Sequence, residues 1–135
     1  MTALFFIKTM AYIKKSIRER VWNKYDKKCA YCGVELDYNQ MHVDHIEPLW
    51  HNGTEEDCKR WNVSKGKHEE NNFNPSCARC NRWKGTFTVE AFRNEIMLQL
   101  FRLKRDSSNY RIALDYGIIT ENTTPIEFWF ERWEN

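Results

Sequence analysis

Residues 42–48, His42-Val43-Asp44-His45-Ile46-Glu47-Pro48, are the stretch from which the fold of this chain can be inferred. Alternation along an extended backbone places His42 and Asp44 on one face of a strand and Val43 and His45 on the other. Pro48 has no backbone N–H to donate, so it marks the point where the strand gives way to a loop. A carboxylate beside an imidazole can bind a hard cation and accept a proton from water.

Two pairs of cysteines with C-x2-C spacing flank this stretch. Cys29 and Cys32 precede it, and Cys77 and Cys80 follow it. Each pair can direct two sulfurs at one ion, and four thiolates complete the tetrahedral shell of a structural zinc ion. Zinc is favoured over a redox dithiol pair or an iron–sulfur cluster. Such an ion would tie residue 29 to residue 80 and stabilise everything between them.

Length and composition predict one domain with a modest core, since 41% of the 135 residues are hydrophobic. The net charge of +2 does not by itself indicate a nucleic-acid partner. Its distribution is uneven, because residues 1–28 carry eight Lys and Arg against two acidic residues, whereas residues 106–135 carry two against six. A basic arm suits phosphate, but an ordinary solvated surface explains the charges equally well.

The cysteine usage also bears on location. No stretch has the features of a secretory signal or the length of a membrane span. Paired C-x2-C motifs in such a chain are typical of metal sites in a reducing compartment. We therefore expect a cytoplasmic protein with no membrane partner. Cys58 is left over and receives no role.

Periodicity and turn residues predict the local elements. Ser16 and Glu19 match a capping box at the start of a short amphipathic helix over residues 17–25. The other elements expected before the second cysteine pair are a strand or irregular arm over residues 1–15, a strand pair or extended hairpin over 36–46, a polar loop over 51–72 and an extended segment over 72–75.

Helices dominate the predictions for the second half. Gly85 should end a brief helix over residues 81–85, and Thr86 or Thr88 should cap the next helix. The buried stripe of that next helix is expected to be Phe92, Ile96, Leu100 and Leu103. A further helix over 108–116 should end before Gly117, and alternation over 126–130 predicts a terminal strand.

Five sequence elements in this order resemble an HNH endonuclease with the zinc-braced ββα-metal fold. They are Cys29-x2-Cys32, Val43-Asp44-His45-Ile46-x-Pro48, Asn72-Phe73-Asn74-Pro75, Cys77-x2-Cys80 and Asn81-x2-Lys84-Gly85. The resemblance covers residues 17–90 and implies a small α+β core of two strands, joined by a long loop and followed by a helix. Residues 91–135 lie outside it as a helical C-terminal extension with a terminal strand, and residues 1–135 are expected to form a single domain.

The resemblance also implies roles for single residues. Asp44 would bind a catalytic cation, His45 would act as general base, and Asn72 would hydrogen-bond across the loop to hold His45. Asn81 stands where many members of the family have His, as in the HNN-type variants, and would be the second ligand of the cation. A carboxylate and an amide oxygen suit Mg²⁺ or Mn²⁺. Neighbouring phosphates would be contacted by Arg79, Arg82 and Lys84.

The expected activity is metal-dependent hydrolysis of DNA, most simply double-stranded DNA, with 5′-phosphate and 3′-hydroxyl products. Phosphodiester hydrolysis needs a water in line with the leaving oxygen and stabilisation of the developing charge, and an imidazole can take the proton of that water near neutral pH. The alternative is a zinc-braced nucleic-acid-binding module that does not cleave. A third possibility is a zinc scaffold for protein partners. The chain would act as a monomer or homodimer, in a prokaryotic or phage-infected cell.

Several of these residues have a second interpretation. His45 could be a structural histidine, and Asn81 could cap a helix. His42 could be a third ligand or a phosphate contact, although packing is favoured, and His51 and His68 are interpreted as solvated. The basic loop residues that could follow a phosphate backbone, or form a solvated loop, are Lys59, Arg60, Lys65 and Lys67, interleaved with Trp61.

Overall fold

The computed structural model describes residues 12–50 and 53–133. The predictions for residues 1–11 and for His51 lie outside these residues. In chain order the elements are α1 (Lys15–Asn23), β1 (His42–His45), α2 (Glu55–Arg60), a 3₁₀ turn (Glu70–Asn72), β2 (Phe73–Ser76), α3 (Ala78–Lys84), α4 (Val89–Met97), α5 (Gln99–Asp106), α6 (Ser108–Asp115) and α7 (Trp129–Trp133).

The centre of the fold is a two-stranded antiparallel sheet followed by a helix. β1 pairs with β2 so that Asp44 lies opposite Asn74 and His45 lies opposite Phe73. The long connection between the strands leaves β1 after His45 and returns through the 3₁₀ turn, and α3 begins directly after β2. The predicted α+β class, with two strands, a long loop and a helix, is confirmed.

The expected hairpin within residues 36–46 is wrong. Only His42–His45 form a strand there, and the partner of that strand is β2 rather than a neighbouring segment. Closer to the first cysteine pair, a single bridge joins Lys28 and Glu35. Local alternation predicted an extended backbone correctly, but pairing depends on residues about thirty positions away along the chain.

The capping box predicted for the first helix is also wrong. α1 begins at Lys15, so Ser16 lies inside its first turn, and the N-cap residue Lys14 makes no side-chain capping hydrogen bond. The helix is held by a tertiary contact, since the Arg18 guanidinium donates to the carbonyl oxygens of Tyr38 at 2.8 Å and Met41 at 2.6 Å. A capping box does occur at α2, where Thr54 and Asp57 bond reciprocally, within the segment expected to be a loop.

The helices that follow β2 agree more closely with the predictions. Gly85 ends α3, and Thr88 caps α4 by accepting a hydrogen bond from the Ala91 N–H. The predicted long buried stripe is interrupted, because the chain bends at Leu98 between α4 and α5. Phe92 is buried, but Leu103 is 42% exposed, so only the first part of the stripe faces the core.

The C-terminal segment forms a short helix, and the expected terminal strand over 126–130 is wrong. Trp129 and Phe130 donate their backbone N–H groups to the carbonyl oxygens of Tyr31 and Ala30, which docks the start of α7 on the first cysteine loop. Gly33 is required at this contact. Its φ is +78°, and a Cβ there would lie 2.9 Å from the Trp129 ring.

Aromatic side chains form much of the core. The rings of Phe92 and Phe128 stack with centroids 5.3 Å apart, and the Tyr31 ring meets both edge-on. Phe130 also contacts Tyr31 and Phe128. This cluster joins the first cysteine loop, α4 and the C-terminal segment. Within residues 12–50 and 53–133, no helix combines the length and apolar character that crossing a bilayer requires.

We expect Phe128→Ala to lower the free energy of unfolding by about 3–5 kcal/mol, because Phe128 is 2% exposed and its removal opens a cavity between three rings. Phe101→Ala is the matched control, since Phe101 is 62% exposed, and it should change stability by less than about 0.5 kcal/mol. Urea unfolding measures both. Equal effects of the two variants would contradict docking of the C-terminal segment in the core.

Candidate active site and metal centre

The four predicted cysteines come together in space. The ligand atoms of Cys29, Cys32, Cys77 and Cys80 all lie within 4.8 Å of one another. The sulfurs of Cys32 and Cys77 are 3.8 Å apart, and Zn–S bonds of about 2.3 Å in a tetrahedron require S···S distances of about 3.8 Å. The cluster is therefore close to the size that a tetrahedral metal ion requires.

The surroundings of Cys29 favour its thiolate, which is the metal-binding form of cysteine. The backbone N–H of Cys77 points at the Cys29 sulfur at 3.4 Å, and that of Cys80 points at the Cys77 sulfur at 3.3 Å. A hydrogen bond from the Cys80 thiol, supported by backbone N–H groups, lowers the pKa of Cys29 to about 4. Donating that bond is the main reason that the pKa of Cys80 is raised.

Asp44 lies at the centre of a buried polar cluster. It is 4% exposed, and its Oδ1 accepts a hydrogen bond from the Lys84 ammonium at 3.1 Å. Its Oδ2 accepts a short hydrogen bond from the Tyr31 hydroxyl. Burial raises the pKa of Asp44, although its contacts with Lys84 and Tyr31 partly oppose this shift. Burial and the nearby Asp44 charge both raise the pKa of Tyr31.

Lys84 connects α3 to β1. Its Nζ also donates to the carbonyl oxygen of His45 at 2.9 Å, and the residue is only 1% exposed. Burial lowers the pKa of Lys84, and the Asp44 carboxylate opposes that shift. The sequence-based prediction that Lys84 contacts nucleic acid is wrong, because its ammonium is enclosed by Asp44 and the β1 backbone and cannot reach a phosphate.

The His45 ring is half-buried on the opposite face of β1 from Asp44. Its Nε2 lies 3.0 Å from Nδ1 of His68, and the two ring centroids are 5.2 Å apart. Both imidazoles pack edge-on against the buried Phe73 ring. The sequence predicted His68 to be a solvated loop residue. It is exposed, as predicted, but it also forms a hydrogen bond with His45.

The Asn72 side chain forms hydrogen bonds that link the start and the end of the long connection between the strands. Its Nδ2 donates to the carbonyl oxygens of Glu47 and Lys67, both at 2.9 Å, and its Oδ1 accepts from the Glu47 N–H at 2.8 Å. The cross-loop bonds expected of Asn72 are present, although their partner is Glu47, two residues after His45. Gly66 is essential for this approach, because a Cβ there would lie 1.8 Å from the Glu47 carbonyl oxygen.

Asn81 lies inside α3, so the interpretation as a helix cap is wrong; the N-cap of this helix is Cys77. Asn81 precedes Lys84 by three positions and therefore shares its side of α3, which faces β1. Within the part of the chain that the structure describes, the Asn81 carboxamide has no hydrogen-bond partner. Arg79 and Arg82 are exposed on the same helix, and His42, for which packing was favoured, is exposed on β1.

Residues 29–87, which contain the cysteine cluster, Asp44, His45 and Asn81, match the family model described as HNH endonuclease. We call this matched segment the HNH domain. No curated protein matches the sequence. Among solved structures, the crystal structure of the Type II-C Cas9 enzyme from Actinomyces naeslundii is similar, with a TM-score of 0.48 and 21% sequence identity. The match covers 70% of this chain and only 9% of that chain.

Tyr31 and His68 bond to Asp44 and His45 but were not predicted as site residues. Lys84 was predicted as a phosphate contact. The C-x2-C loop gave little signal for Tyr31, because Cys29 is buried and Cys32 is exposed. Nothing local signals that Lys84 reaches Asp44, or that His68 reaches His45, because each pair is far apart in the sequence.

We expect the chain to bind one zinc ion in the HNH domain and to require it for folding. Cys77→Ala should lose the metal and most of the structure, because a structural zinc supplies on the order of 10 kcal/mol of apparent binding energy. Cys58→Ala is the control, since Cys58 is buried outside the cluster. Metal analysis and circular dichroism, with and without chelator, measure both. A Cys77→Ala protein that keeps one zinc per chain would refute the cluster as its site.

We expect Lys84→Met to destabilise the zinc-loaded protein by about 3–5 kcal/mol, because the buried Asp44 carboxylate loses its charged partner. Adding Asp44→Asn should restore most of the loss, since the neutral amide can still accept from Tyr31. Urea unfolding of the two single variants and the double variant gives the coupling. A double variant no more stable than Lys84→Met would show that the ion pair does not carry the effect.

Proposed function

We propose that the HNH domain hydrolyses DNA phosphodiester bonds with His45 as the general base. The observation that carries this proposal is the position of the His45 imidazole. It lies half-buried at the end of β1, held by His68 and Phe73, while the adjacent Asp44 is fixed on the other face by Lys84 and Tyr31. An imidazole exchanges protons near neutral pH, so a ring held in one orientation can take a proton from an attacking water.

The surrounding residues have separate tasks in this proposal. Asn72 holds the backbone after His45 by its bonds to Glu47, and Lys84 holds the His45 carbonyl. Both ends of the catalytic residue are therefore fixed, which keeps the ring in position for an in-line attack. Arg79 and Arg82, exposed on α3, would bind the phosphates next to the scissile bond.

A divalent cation is proposed to be held by Asp44 and Asn81. The donors are of the right kind, because a carboxylate and an amide oxygen are hard ligands for Mg²⁺ or Mn²⁺. A carboxylate offers about four acceptor positions, of which Lys84 and Tyr31 take one each, so positions remain for a cation. The chemistry that such a cation supplies is Lewis-acid stabilisation of the scissile phosphate and the leaving 3′ oxygen.

The direction of attack in this proposal also defines the products. Attack by water on the side opposite the 3′ oxygen leaves a 5′-phosphate and a 3′-hydroxyl. We propose double-stranded DNA as the substrate, nicked or cut on both strands, and a monomer or homodimer as the acting form. The four free thiols of the cluster support a reducing, cytoplasmic setting for the chain.

One observation favours a second candidate, a zinc-braced module that binds nucleic acid without cleaving it. The Asp44 carboxylate is almost inaccessible, and an internal cation, the Lys84 ammonium, already neutralises it. A site whose acidic residue is satisfied by a lysine could retain the fold and lose the catalytic metal. The two candidates share DNA binding and differ in cleavage alone.

A plasmid assay distinguishes the two candidates. Wild-type protein should nick or linearise supercoiled DNA with Mg²⁺ or Mn²⁺ and not with EDTA, and His45→Ala should lower the rate by about 10²–10⁴-fold, the usual contribution of a general base. His42→Ala is the matched control, since this exposed imidazole lies two positions away on the same strand.

The outcomes of this assay separate clearly. If His42→Ala cleaves the plasmid at the wild-type rate and His45→Ala does not cleave it, the assignment of His45 as the base is supported. Metal-dependent cleavage that persists in His45→Ala would refute it. If the wild type and all variants bind DNA at low salt but none cleaves it, the second candidate, the module that binds without cleaving, is favoured. Binding through phosphates needs no catalytic residue.

A further inference from the structure

We propose that the turn between α1 and the first cysteine pair binds phosphates of the DNA backbone, through Lys27 and Lys28. This turn, residues 24–28, is called the lysine turn below, and it precedes the HNH domain. The inference rests on the proposed function, because it assigns a place where the DNA substrate is held. Three observations carry it: the charge of the segment, the aromatic rings beneath the two ammonium groups, and an unfavourable backbone conformation at Lys27.

Basic residues dominate the segment that leads into the cysteine cluster. Residues 14–28 carry seven Lys and Arg against two Asp and Glu, which gives a net charge of +5. The two arginines are used inside the fold, since Arg18 binds backbone carbonyl oxygens and Arg20 pairs with Glu70. Within residues 12–50 and 53–133, neither Lys27 nor Lys28 forms an ion pair. Their charges are therefore available to an anionic partner.

Aromatic rings hold both ammonium groups in place. Nζ of Lys27 lies 4.6 Å from the centroid of the Trp22 ring, and Nζ of Lys28 lies 5.0 Å from that of Trp129. The Trp22 ring is itself fixed, because its Nε1 donates to the carbonyl oxygen of Leu36 at 2.8 Å. A lysine over an aromatic face keeps its charge but has less side-chain freedom. It therefore loses less conformational entropy when it binds a phosphate.

The backbone of the lysine turn is unfavourable for a lysine. Asp26 and Lys27 have φ values of +56° and +61°. Glycine adopts this left-handed region freely and Asp tolerates it, whereas lysine seldom occupies it. The fold fixes this conformation, since the Leu36 N–H donates to the Lys27 carbonyl oxygen at 2.8 Å. Strained residues of this kind are concentrated at functional sites, so a lysine where glycine would fit better indicates a use for its charge.

The lysine turn is anchored beside the two strands of the proposed active site. Nζ of Lys24 donates to the carbonyl oxygen of Phe73 at 2.9 Å and to Oδ1 of Asn74 at 3.0 Å. Phe73 lies opposite His45 in the sheet. Several kinds of anionic partner could bind two lysines, but this position favours the DNA whose scissile bond lies at His45.

Two substitutions separate phosphate binding from folding. Lys27→Gly removes a charge and relieves the strained backbone, so its stability in urea should stay close to that of the wild type while DNA binding weakens. Lys28→Gln removes the second charge and leaves the turn unchanged. Lys59→Gln is the matched control, because it removes the same charge from an exposed position on α2, whose first turn carries three acidic residues.

The readout is the affinity of the zinc-loaded full chain for a fluorescent DNA duplex, measured by anisotropy without Mg²⁺ or Mn²⁺ at several salt concentrations. Lys27→Gly and Lys28→Gln should each weaken binding by about 3- to 10-fold near ~0.1 M salt and reduce the slope of log K against log salt by about 1, because each loses one phosphate contact. Lys59→Gln should change the affinity by less than about 2-fold, since a charge far from the phosphates is screened.

The outcomes distinguish this inference from the proposed function. Losses in Lys27→Gly and Lys28→Gln no larger than that in Lys59→Gln would overturn the inference, and so would an unchanged salt slope or a wild type that binds no duplex. Cleavage by a wild type whose affinity does not depend on either lysine would leave the proposed function intact. Weaker binding by both variants of a protein that never cleaves DNA would support the lysine turn and contradict the proposed hydrolysis.

Discussion

The convergence of four sulfurs is the constraint on which the rest of the structure depends. The two cysteine pairs lie at opposite ends of the central segment, so bringing their sulfurs within 4.8 Å closes the chain around β1, the long connection and β2. A two-stranded sheet is marginal by itself in water, and each strand here has only four residues. The cluster determines where α3 starts, because Cys77 is both a ligand and the N-cap of that helix. The aromatic core then packs against the same loop through Tyr31.

A buried polar cluster connects the two cysteine loops to β1, the strand that carries Asp44 and His45. Asp44 bonds to Tyr31 from the first cysteine loop and to Lys84 from the helix that begins in the second. Such a cluster costs desolvation energy, so it is poor evidence for high stability. Its geometric effect is more informative, because Lys84 also binds the His45 carbonyl and so places that residue relative to α3. Asp44, beside the proposed base His45, is thus part of the framework as well as a candidate ligand.

The sequence predicted those features that depend on neighbouring residues or on a spacing typical of metal ligands. C-x2-C spacing predicted the cysteine cluster, Gly85 and Thr88 predicted helix ends, and alternation predicted the strand at Asp44 and His45. The predictions failed where tertiary contacts decide. Ser16 does not cap the first helix, because that helix starts at Lys15 and Ser16 lies inside its first turn. Alternation over residues 126–130 predicted a strand. Instead, the backbone N–H groups of Trp129 and Phe130 donate to the first cysteine loop, and the Phe128 ring packs against Tyr31 in the core.

The same distinction applies inside the site. His42 and His45 are both imidazoles on one short strand, and no composition or spacing rule separates a base from a bystander. The structure separates them through their partners, since His45 lies against Phe73 and His68 whereas His42 is exposed. His68 comes from the long polar connection, which has no regular periodicity, so its approach to His45 depends on the Asn72 bonds and on the absence of a side chain at Gly66. The connection that looked least structured in the sequence therefore supplies a residue that contacts the His45 ring.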